Sequence, residues 1–113
     1  MPNQKKSNGN LSDQDYGKLA DMVEYQIGAV VSRTLLKADG GNFTLFAFDR
    51  EEGLSEHTTP SDALLWVLEG ELEAVIGGET YSLSPGNFIQ LPANIPHAIR
   101  ALERTKMGLI LFH

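Results

Sequence analysis

The chain has 113 residues, the size of one ordinary domain, and its 42% apolar content suffices for a core. Fifteen acidic against nine basic side chains give a formal charge of −6, which repels phosphate backbones and argues against nucleic-acid binding. With no cysteine there is neither a disulfide framework nor a thiolate for zinc or nucleophilic catalysis, and with no signal-peptide pattern and no run of about 20 apolar residues the expectation is a soluble cytoplasmic protein, not one held in a membrane.

Met1–Asn10 has turn and disorder composition and is expected to form a tail. A short helix is expected from Ser12, which would cap it, with Asp13 and Asp15 in the first turn favoured by the helix dipole and Leu19 and Met22 on its buried side; Gly17 weakens it. Residues 1–22 therefore read as a flexible or partly helical N-terminal extension, and residues 23–113 as the folded domain.

From there the period changes to that of strands. Tyr25–Leu36, Asn42–Phe48, Ala63–Leu68, Glu71–Ile76, Thr80–Leu83, Asn87–Leu91, His97–Leu102 and Lys106–Phe112 are rich in branched and aromatic residues. Turn chemistry separates them: Asp39-Gly40-Gly41, Glu52-Gly53, Glu69-Gly70, Gly77-Gly78, Ser84-Pro85-Gly86 and Pro92-Ala93-Asn94. Gly77-Gly78 predicts a tight hairpin, because both residues can take positive φ. About eight short strands with almost no helix predict an all-β sandwich or barrel. Two strands are apolar on both faces: Ala63, Leu65 and Val67 alternate with Leu64, Trp66 and Leu68, and Phe43, Leu45 and Ala47 with Phe46 and Phe48. A barrel buries only its inner face, so the outer one needs a cover. The N-terminal strand would supply part of it and a second subunit the rest, which predicts a homodimer with Trp66 near its interface; a cover from within the chain is the alternative.

The order His57, VLEGE (Val67–Glu71), Ile76-Gly77-Gly78 and SPGNFIQLPANIPH (Ser84–His97) resembles the cupins, small jelly-roll barrels. The second cupin motif falls on Gly86, Pro92, Asn94 and His97, with Asn94 in place of a glycine and Ala101 in place of a terminal asparagine. The first keeps its first histidine as His57 and its closing glycine as Gly70. The resemblance covers roughly residues 25–112 and implies a single jelly-roll (double-stranded β-helix) barrel; it speaks far more to fold than to chemistry.

Metal-binding cupins converge three histidines and a glutamate inside the barrel. Carried onto this chain, those positions are His57, Thr59, Ala63 and His97, so two of four ligands are kept. Threonine is a poor neutral donor and alanine is none, while Asp62, one residue early, would face the other way. If the strand ran without a bulge, His57, Thr59 and Ala63 would share a face. Two imidazoles can touch a divalent transition metal such as zinc, nickel, iron or manganese, with water, substrate, Gln90 or His113 completing its shell. Equally, the pair can serve a metal-free pocket, where either histidine donates or accepts a proton. The expected pocket is His57, Thr59, Ala63, Gln90 and His97.

Glu69, Glu71 and Glu73 read as one solvated strand face, Asp49–Glu52 as a charged loop, and Arg33 and Arg100 as surface unless they turn inward. The leading expectation is a barrel that binds a small polar molecule. A metal-dependent cupin enzyme of oxygenase or isomerase type is the alternative, and a metal-free acid-base enzyme or a sensor module follows behind.

Overall fold

Residues 16–113 are described here from a computed structural model. Nine strands build two sheets: β1 Val30–Ala38, β2 Gly41–Phe48, β3 Gly53–His57, β4 Asp62–Glu69, β5 Leu72–Ile76, β6 Glu79–Leu83, β7 Phe88–Leu91, β8 His97–Ala101 and β9 Thr105–Phe112. The first sheet runs β1-β2-β9-β4-β7 and the second β3-β8-β5-β6, with every pairing antiparallel. This is the expected all-β jelly roll, with one strand more than the sequence suggested. The addition is β3, whose GLSEH has one apolar residue and no alternation to betray it. The helix cap Ser12 and the acids Asp13 and Asp15 lie outside the described residues; beyond them Leu19–Met22 makes a single 3-10 turn.

The inner faces of the two sheets enclose the main core. Phe48, Leu65, Val67, Leu72, Ala74, Ala101 and Met107 are at most 1% exposed there, with Leu91 and Ile99 beside them. Leu65 and Val67 come from the odd positions of β4, as the period of two requires. The even positions of β4 and the odd positions of β2 face the other way into a second cluster, where Val23, Leu35, Leu45 and Ala47 are buried against Leu19, Met22, Tyr25, Phe43 and Leu68. The segment before β1 therefore covers part of the outer face from within the chain. Trp66 stacks on Phe43, with ring centroids 5.5 Å apart. Its indole lies over Gly108, where an added Cβ would come within 2.5 Å of the ring.

The turns follow their chemistry. Gly77 and Gly78 take φ of 57° and 88° and close the β5–β6 hairpin as predicted, with Ile76 paired to Glu79. Gly70, at φ 96°, turns the chain from the first sheet into the second. This corrects the reading of Glu69, Glu71 and Glu73 as one strand face: Glu69 ends β4 and accepts from the Tyr25 hydroxyl at 2.6 Å, Glu71 accepts from Ser84 Oγ, and Glu73 in β5 pairs with Arg100. No helix among the described residues is long and apolar enough to cross a membrane.

Candidate functional site

His97 opens β8, on the inward side with Ile99 and Ala101, and is 6% exposed. Its neighbours in register are Ile76 of β5 and His57 of β3. His57 reaches that place through a bulge. Leu54 pairs with Ile99 and His57 with His97, so two residues, Ser55 and Glu56, oppose the single Ala98 between them. Without the extra residue, regular alternation from Leu54 would turn Glu56 inward and His57 out. The bulge thus lets both Leu54 and His57 face the barrel.

The two imidazoles meet edge to face, with ring centroids 4.4 Å apart and planes at 66°. Each turns its Nδ1 back to a carbonyl two residues earlier, His57 to Ser55 O at 2.8 Å and His97 to Ile95 O at 3.2 Å. A carbonyl only accepts, so both Nδ1 atoms carry hydrogen, and in the neutral rings both Nε2 atoms keep a lone pair. His57 sits at the exposed rim and His97 beneath it. Burial pushes the His97 pKa down from its ordinary 6.5, the Ile95 carbonyl partly opposes this, and the His57 charge adds to the lowering.

The other expected members do not gather here. Thr59 lies in the loop between β3 and β4, so the shared parity assumed from His57 through Thr59 to Ala63 does not exist. Its hydroxyl donates to Ser61 O at 2.9 Å and accepts from Ser61 N, closing a local turn. Ala63 is buried and inward, paired with Leu91 and Leu111, and brings no donor. Gln90 pairs with Leu64, which puts it on the outer face with Trp66 and Phe88, away from the barrel interior. His113 places its Nδ1 3.3 Å from Ser61 Oγ. Asp62 is exposed, as expected of its parity, and accepts from Ala93 N at 2.8 Å. Arg33 donates to Met22 O, and Arg100 turns outward to Glu51 and Glu73.

Two loops hold the rim. Asn94 N donates to Thr59 O at 2.7 Å, and the Ala93–Asp62 bond lies beside it, so the LPAN turn is tied to the TTPSD loop. Asn94 has φ 65°, the left-handed conformation in which it stands for glycine. The inner face of β1 and β2 contributes a hydroxyl pair that the sequence reading passed over, Thr34 and Thr44, half-buried with their Oγ1 atoms 3.1 Å apart. Their signal was alternation, since Thr44 shares parity with Phe46 and Phe48.

Metal chemistry can be weighed on these donors. Among the described residues no three His, Cys, Asp or Glu side chains gather to hold an ion. The pair supplies two imidazole nitrogens, Thr59 spends its hydroxyl on its own turn, and Ala63 offers nothing. A resident divalent metal normally takes three or four protein ligands, so the residues present do not fit one.

The cupin domain family model matches residues 44–112, well over half of the chain. The chain belongs to the cupin family. Similar solved structures cover most of it. A conserved Streptococcus pyogenes protein of unknown function is 31% identical, with a TM-score of 0.87 over 97% of this chain and 96% of its own. A cupin superfamily protein from Desulfitobacterium hafniense is 30% identical, with a TM-score of 0.85 over 91% and 94%. Among curated relatives, L-ectoine synthase of Vibrio campbellii is 37% identical over 79 residues, 66% of this cupin and 61% of the synthase. This cupin thus matches about three-fifths of that relative's length.

Proposed function

We propose that this cupin binds a small polar molecule at the rim of its barrel, where His57 and His97 present their Nε2 atoms. The observation that carries the reading is the histidine pair itself: a bulge turns His57 inward against His97, and both rings are held in one tautomer by backbone carbonyls. The barrel domain spans residues 23–113, and the protein works in the cytoplasm. A second copy covers what remains apolar on the outer face, where Phe88 and Phe112 are 67% and 53% exposed. The likeness to L-ectoine synthase supports a second reading, an enzyme that acts on its ligand at the same histidine pair.

The test is a binding screen by calorimetry on wild type and on His57→Ala with His97→Ala, with circular dichroism to confirm folding. Loss of any hit in the folded double variant is expected. Unchanged binding overturns the assignment. Following any hit for product formation by NMR separates the second reading, because turnover that is lost in the folded double variant would favour it over the first.

A further inference from the structure

We infer that the His57–His97 pair selects ligands that bring hydrogen-bond donors, such as amidinium, ammonium or hydroxyl groups, and disfavours carboxylates and phosphates. This rests on the proposed binding site and names the chemistry it takes. Both Nδ1–H groups are already spent on Ser55 O and Ile95 O, so the pair has no donor left for a ligand in its neutral form. What it offers is two acceptor lone pairs, one on each of two rings whose centroids are 4.4 Å apart. Nearby backbone donors are also used: Asn94 N on Thr59 O, Gly77 N on Pro96 O, and Ala93 N on Asp62. The Thr59 hydroxyl donates to Ser61 O. The inward side chains in register with the pair or next to it, Ile76, Leu54 and Ile99, are apolar. A ligand that only accepts hydrogen bonds would set its lone pairs against those of both imidazoles and leave all of them unsatisfied. A ligand with two donors satisfies both, and the formal charge of −6 favours the cationic members of that class.

The test uses two probes of one shape, acetamidinium as chloride and acetate as sodium salt, titrated into 15N-labelled protein at pH 8 with a chelator present. Long-range correlations from the imidazole ring protons read each Nε2 directly. Acetamidinium is expected to move the Nε2 resonances of both histidines saturably and to bind about tenfold more tightly than acetate. His57→Gln, at an exposed position, leaves the formal charge unchanged; it should abolish the joint response, which general attraction of a cation to an acidic protein would not do. Acetate binding at the pair as well as or better than acetamidinium overturns the donor preference while the binding site stands. If neither probe moves either Nε2, the site and the preference fall together.

Discussion

Asn94 sets the rim of the barrel through one backbone angle. At φ 65° it carries the LPAN turn through a region that costs most residues about 1–2 kcal/mol. Asn94→Gly should therefore leave urea stability within about 0.5 kcal/mol of wild type, whereas Asn94→Val should lose about 2 kcal/mol and loosen the tie to Thr59. Equal losses in both would show that the side chain, not the angle, matters. His97 makes a separate prediction through pH. Its folded pKa lies below the 6.5 of the unfolded chain, so on acidification the native state binds fewer protons than the unfolded state does. The stabilisation is fully present above about pH 6.5 and is lost as pH falls toward the folded pKa, with a slope of at most about 1.4 kcal/mol per pH unit for one proton. Denaturation curves between pH 8 and 5 should show this decline, and His97→Gln should flatten it. A slope unchanged in the variant would assign the effect elsewhere.

At the scale of elements, the segment before β1 acts as a strap over the outer sheet. Tyr25 fixes it: its hydroxyl donates to Glu69, and Arg104 and Lys106 lie over its ring at 5.1 and 4.9 Å. Burial, followed by the hydrogen bond to Glu69, drives the phenol pKa well above its ordinary value, so the hydroxyl stays protonated and donating. Tyr25→Phe should cost about 1–2 kcal/mol in urea denaturation, and Tyr25→Ala more, with faster amide exchange at Val23. No difference between wild type and Tyr25→Phe would mean that the bond adds nothing to the strap.

The elements also show what the sequence could and could not tell. The fold was legible because Gly70, the Gly77-Gly78 turn and Gly86 to His97 keep their spacing while the strands between them alternate. Of the candidate site, only the meeting of His57 with His97 was legible. A bulge is invisible in an alternation count, so β3 was missed although its last residue, His57, was singled out. Gln90 was misplaced because its direction depends on which residue of β4 it opposes, and that register is a property of the assembled sheet. Thr59 was given a metal-site position by motif alignment, but a serine two residues on captures its hydroxyl.

For the whole molecule, the sheet of five strands is apolar on both faces, and the strap covers only the end near Val23, Leu35 and Leu45. Leu36, Phe88 and Phe112 stay exposed, and a groove of about 260 Å³ runs between Leu36, Phe43, Ile110 and Phe112. Sedimentation at micromolar concentration should therefore show a dimer, and Phe88→Glu with Phe112→Glu should give a folded monomer. A wild type that sediments as a monomer would mean that these side chains simply face water.

The claim at the centre of the account is that His57 and His97 jointly hold a small molecule through nitrogen lone pairs. A high-resolution crystal structure of untagged protein, purified without chelator, tests it most directly. The account predicts organic density with donors about 2.7–3.2 Å from both Nε2 atoms, absent when both histidines are alanine. A compact peak about 2.0–2.2 Å from both nitrogens, ringed by four ligands, would contradict it and make the site a metal centre.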